Sequence, residues 1–116
     1  MFTKFFKLFK NTETIETPEP SVVDNFTETE GVLLVDDIFS IMGKGVVLSG
    51  KILSGGIAVG FSHPDGVEVR GIEKFNKGFN SAVQDDQVGV LINLKDKELA
   101  EIFVEENNKQ VKFGKN

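Results

Sequence analysis

Residues 35–60 read VDDIFSIMGKGVVLSGKILSGGIAVG, and how this stretch folds decides how the rest of the chain is arranged. Short β-branched runs in it are cut at near-even intervals by Gly43, Gly45, Gly50, Gly55, Gly56 and Gly60. β-Branched side chains fit a pleated surface, whereas glycines mark turns, bulges and close backbone approach. A chain punctuated in this way must turn, bulge and turn again within a small sheet. From Gly45 onward Val46, Leu48, Gly50 and Ile52 share one face, and Val47, Ser49, Lys51 and Leu53 share the other. Lys51 assigns the second face to solvent, so Val47 and Leu53 are expected as exposed apolar residues. Ser54-Gly55-Gly56 signals a hairpin, with Ile57-Ala58-Val59-Gly60 as its return.

The pattern extends in both directions. Upstream, residues 32–42 open a strand region. Downstream, His63-Pro64-Asp65-Gly66 has the proline and glycine of a tight turn and leads into the alternating run Val67 to Ile72. Ser81-Ala82-Val83 follows a loop, and Gln84-Asp85-Asp86-Gln87 turns the chain into Val88 to Leu94. Residues 95–99 read as a polar crossing of about one helical turn, and Ile102-Phe103-Val104 as a final strand. Six or seven short strands at this spacing predict an all-β body over residues 32–106, a small barrel or sandwich. Closure removes the edges that so small a sheet would otherwise expose. Residues 107–116 form a polar tail, with Val111 to Phe113 able to add an edge strand.

The N-terminal end differs in kind. Residues 1–10, MFTKFFKLFK, place Phe2, Phe5, Phe6, Leu8 and Phe9 on one side of a helical wheel and Lys4, Lys7 and Lys10 on the other. The pattern predicts a short amphipathic helix, too short to persist in water without a surface to lie on. Residues 11–31 carry two prolines and six acids without a base, and read as an acidic flexible linker. Three surfaces can receive the head: the chain's own body or a second copy, a partner's groove, or an anionic membrane surface.

Composition limits the chemistry. The 116 residues carry a net charge of −5, and beyond residue 30 the balance is twelve acids to ten bases. No broad basic footprint for DNA exists, and Arg70 is the sole arginine. There is no cysteine, and His63 is the only histidine, so thiolate and multi-histidine metal sites and a histidine-based triad are excluded. Asp36 and Asp37 point to opposite faces of a strand and cannot act together on one substrate. The expectation is a non-enzymatic protein with no catalytic residue, no metal and no cofactor. The lack of a secretory signal or long apolar run predicts a cytoplasmic protein, peripheral to the membrane where residues 1–10 lie on lipid.

Residues 32–104 resemble the second domain of translational GTPases of the elongation factor Tu type, which implies a small closed six-stranded Greek-key β-barrel. Val35-Asp36-Asp37-Ile38-Phe39-Ser40-Ile41 matches that family's opening strand, and Gly43-Lys44-Gly45-Val46-Val47-Leu48-Ser49-Gly50-Lys51-Ile52 its Gly-x-Gly hairpin. Gly55-Gly56 through Gly60, Gly71-Ile72-Glu73-Lys74-Phe75 and Asp86-Gln87-Val88-Gly89-Val90-Leu91 match later turns and strands in the same order. In elongation factor Tu this domain helps to hold the aminoacylated end of tRNA. The resemblance therefore implies RNA-end positions at Asp37, Phe39, Glu73 and Gln87, with Asp36 beside them. Gln87 stands where the family usually has asparagine, Lys44 where it has arginine and Val46 where it has threonine. The sequence contains no Gly-x-x-x-x-Gly-Lys-Ser/Thr loop, so no binding of GTP is expected. Read from the residues alone, Phe39 is a core side chain and Glu73 a solvated one.

Together these features predict a binding or adaptor module that works through protein–protein contacts or self-association. Phe2, Phe5, Phe6 and Phe9 of the head and Val47 and Leu53 of the body are its contact residues. The alternatives are a weak tRNA- or ribosome-associated RNA-binding module and a peripheral membrane protein.

Overall fold

β-Branched residues between positions 30 and 58 form the two longest strands, β1 (Glu30–Ile41) and β2 (Gly45–Ala58), in a computed structural model that describes residues 26–116. The head and most of the linker therefore lie outside the described residues. The chain continues as β3 (Val69–Lys74), β4 (Lys77–Phe79), β5 (Ser81–Val83), β6 (Gln87–Ile92), helix α1 (Lys97–Glu106) and β7 (Gln110–Gly114). All pairings are antiparallel, in the order β4-β3-β6-β2-β1-β7, with β5 paired to the end of β2.

The all-β class holds, with one short helix. Among the described residues the sheet has seven strands rather than the six expected, six on the ladder path and β5 off it, and it is open, because no ladder joins the β4 end of the path to β7. Between these ends Ser62 bridges Glu68, just before β3, and Gly114 in β7. It exchanges two backbone hydrogen bonds of 2.8 Å with Gly114. Strand β1 carries register shifts between Val32 and Leu33 and between Val35 and Asp37. Gly50 lies opposite the second shift, where a Cβ would run into the Leu34 carbonyl. Only glycine lets the two backbones approach this closely.

Three expectations are corrected. Ser54-Gly55-Gly56 is no hairpin: β2 runs through it, and the left-handed Gly55 (φ 65°) bends the strand so that Gly56 to Ala58 pair with β5. Ile102-Phe103-Val104 is helical, not extended. Asp96 caps the helix by accepting the Glu98 N–H at 2.8 Å, which satisfies one of the orphan donors of the first turn. Ala100, Phe103 and Val104 then share the buried stripe at helical spacing. The C-terminal stretch is part of the core, for β7 pairs with β1 and both Val111 and Phe113 are wholly buried. They join Leu33, Leu48, Ile52, Ile72 and Val90 in the main apolar cluster, and the ring of Phe26 packs on its margin 6.0 Å from that of Phe61.

Candidate functional site

The register of β1, β2, β6 and β3 places the matched positions on the face of the sheet opposite the main core. One row runs Asp37–Ser49–Gly89–Glu73–Gly78 across five strands. The next row, two residues along each strand, runs Phe39–Val47–Leu91–Gly71. Because side chains alternate, these rows share a face, while Leu48, Val90 and Ile72 point into the core. Gln87 is two residues before Gly89 and belongs to the same face, level with Lys51. Its Nε2 donates to Asp36 Oδ2 at 3.4 Å. The fold thus places Asp37, Phe39, Glu73 and Gln87 on one face, with β1 and β3 three strand spacings apart.

This outer face is not a solvated one. Ile41 and Val47 form a second apolar cluster, apart from the main core, with half-buried Phe39 and Leu91 packed against it. The expectation that Val47 is an exposed contact residue is overturned, since none of it is accessible, and Leu53 is half-buried. The run Val46-Val47-Leu48 is buried on both sides of the strand, and a continuous apolar run is what a doubly covered strand requires.

Glu73 corrects a second expectation. It is wholly buried rather than solvated, and neither carboxyl oxygen has a hydrogen-bond partner. Burial pushes the carboxyl from its ordinary 4.5 up to about 8, so the group is neutral at pH 7. Lys74, next in sequence, points to the other side and holds Asp86 at 3.0 Å while lying 4.3 Å over the Phe79 ring. Asp86 also accepts the Val83 N–H at 2.9 Å, so its role is to fix the turn into β6. A neutral carboxyl both donates and accepts. On an apolar floor it suits a neutral partner with a donor beside an acceptor, such as a nucleobase edge or an amide. An orphaned buried carboxyl could not be found from sequence, where Glu73 is one acid among many; the family resemblance was its only signal.

Elsewhere the polar groups are structural. His63 Nε2 meets Asn107 Oδ1 at 3.1 Å, its Nδ1 accepts the Asp65 N–H at 2.9 Å, and its ring stands edge-on to Phe103. Among the described residues no three His, Cys, Asp or Glu side chains converge to hold a metal ion. No described helix is long and apolar enough to cross a membrane.

Comparison with solved structures finds this fold inside much larger proteins. The apo translation elongation factor SelB from Methanococcus maripaludis matches at 31% identity and a TM-score of 0.52, over 63% of this chain and 17% of that one. A bacterial selenocysteine-specific elongation factor, EF-Sec, matches at 19% identity and a TM-score of 0.56, over 93% of this chain and 17% of that one. The fold is translation-factor-like. The chain spans about one sixth of the length of either protein, and the second likeness is one of fold alone. No protein-family model matches the chain.

Proposed function

We propose that this translation-factor-like module is a non-catalytic binding protein whose outer sheet face takes the terminal nucleotide of an RNA, with the end of tRNA as the favoured ligand. The observation that carries this reading is the placement of Asp37, Phe39, Glu73 and Gln87 on one face, with an orphaned neutral carboxyl among them. Phe39 offers a half-buried aromatic surface for a base, and the Glu73 carboxyl, three strand spacings of about 4.8 Å away, gives the same face a polar group. A single terminal nucleotide needs one pocket rather than a long basic groove, so the shortage of cations does not oppose it. Affinity should be modest and should depend only weakly on salt. The barrel reading belongs with this proposal: the Ser62 bridges draw β7 toward β3 and would give the face the curvature of a closed wall.

The test is filter binding of the full chain to tRNA at low salt, against tRNA from which the 3′-terminal nucleotide has been removed. Retention of intact tRNA only, lost in Phe39→Ala, is the expected result. Equal retention of both RNAs, or of neither, would refute the proposal. The protein-contact reading loses ground because Val47, one of its two residues on the body, is wholly buried.

A further inference from the structure

Seven large apolar side chains are exposed among the described residues, and four of them, Val59, Phe75, Phe79 and Val83, lie on or beside β4 and β5. Val59 donates its N–H to the Asn80 carbonyl at 3.0 Å, which ties it to the chain between those strands. Lys74 lies over the Phe79 ring and holds Asp86, and Asp86 accepts the Val83 N–H, so these groups are neighbours. Phe75 stands on the tip of the β3–β4 hairpin and is 86% exposed. The patch borders an open strand edge. Strand β4 ends the ladder path, and all three of its residues are exposed. Its turn residues, Phe75 and Asn76, both have positive φ (53° and 65°), the two-residue loop of a type I′ hairpin. In such a hairpin Lys74 and Lys77 exchange hydrogen bonds, and Ile72 and Phe79 form the next bonded pair. Gly78 between them turns its N–H and C=O away from β3, toward the open edge. We propose that β4 pairs antiparallel with β4 of a second copy, about a two-fold axis at Gly78, and joins the two sheets into one.

The edge is complementary to itself, which is what selects a second copy as its occupant. With Gly78 opposite its own copy, the two glycines exchange both free backbone bonds, and no side chain holds the strands apart. Lys77 then falls opposite Phe79 of the second copy, on the same side of the sheet. That repeats across the axis the contact that Lys74 makes with Phe79 within one chain, at 4.3 Å. Other exposed apolar groups do not match themselves in this way. Leu99 and Ile102 on α1 stand among Glu98, Glu101, Glu105 and Glu106, so a two-fold contact there sets like charges together. Met42 is a single side chain on the β1–β2 turn. An edge of three residues buries little area, so the dimer is weak and forms at about 0.1–1 mM chain. The axis crosses the sheet plane, so the outer faces of both copies look the same way. The two copies of Glu73 lie three strand spacings, about 14 Å, apart. On the function proposed above, one dimer presents two RNA faces side by side; the pairing itself does not rest on that reading.

Sedimentation equilibrium of the full chain from about 20 µM to about 1 mM tests the pairing, with amide spectra recorded over the same series. The expected result is a monomer–dimer equilibrium whose concentration-dependent shifts centre on residues 77–79 and spare α1. The Gly78 amide should exchange with solvent several-fold more slowly at the high concentration than at the low one. Gly78→Pro removes the outward N–H and no bond to β3. It should raise the dissociation constant about tenfold or more, with the amide spectrum unchanged outside the hairpin. Lys77→Glu keeps every backbone bond and should raise it several-fold. A monomer throughout overturns the proposal and leaves the edge to a strand of another protein. So does a dimer whose shifts centre on α1 or Met42, or one that folded Gly78→Pro and Lys77→Glu leave unchanged. A Gly78 amide equally protected at every concentration would show an edge covered within one chain, and overturns it as well.

Discussion

The two faces of the β1–β2–β6–β3 sheet make an instructive comparison. The inner face, with Leu48, Ile72 and Val90, is wholly apolar and is closed by α1 and by Phe113 of β7. The outer face, with Val47, Phe39 and Leu91, is also apolar but carries a buried carboxyl with no partner. The inner face has the composition expected of a core. The outer one does not, because an unpaired buried polar group costs free energy that a structural role would not require. The difference teaches that burial alone does not mark a core; on the function proposed above, the uncompensated group marks the face that takes the ligand.

Substitutions on the two faces put this contrast at risk. Phe113→Ala should cost about 3–5 kcal/mol, since it empties the inner core from the strand that joins it last; urea unfolding measures this. Val47→Ala on the outer face should cost about 1–3 kcal/mol, whereas a solvated valine would show no more than about 0.5 kcal/mol. A loss for Phe113→Ala as small as a surface change would remove β7 from the core.

Glu73 gives the contrast a pH dependence. Its carboxyl is raised to about 8 in the folded chain and returns to the ordinary 4.5 on unfolding. Below the lower value both states are protonated, and stability is at its full level. As pH rises the unfolded state ionises first, so stability falls until the folded pKa is passed and then levels off, a change on the order of a few kcal/mol. Unfolding followed from pH 4 to 9 should show this decline in the wild type and a flat profile over the same window in Glu73→Gln. An identical decline in the two proteins would show that Glu73 is paired or solvated after all.

Smaller effects mark the regions that support the two faces. Asp96→Ala should lower stability by about 1 kcal/mol through loss of the α1 cap, as read by thermal unfolding. Lys51→Ala should change it by less than about 0.5 kcal/mol, because the 3.9 Å pair with Asp85 is largely exposed on both sides.

Much of this was legible in the sequence, though unevenly. The glycine-punctuated run from Val35 to Gly60 predicts the β1–β2 pairing, because turn and bulge chemistry is local. The alternation of Val111 and Phe113 between polar residues likewise marks a strand. Ile102-Phe103-Val104 misleads, since three adjacent apolar β-formers satisfy either period, and only Asp96 with Ala100 settles the choice. Val47 misleads for another reason. Lys51 on the same face implies solvent there, but a long lysine reaches water from the margin of a covered patch. The four positions of the candidate site come from three strands, β1, β3 and β6, so composition could not unite them; the register does.

The most direct test of the central claim maps a ligand onto the outer face. Backbone amide spectra of the full chain are recorded with intact tRNA and with tRNA lacking its 3′-terminal nucleotide. The expected result is a set of shifts confined to Asp37, Phe39, Ser49, Glu73, Gln87, Gly89 and Leu91, seen with the intact RNA only. No shifts with either RNA, or shifts centred on α1 or shared by both RNAs, would contradict the account.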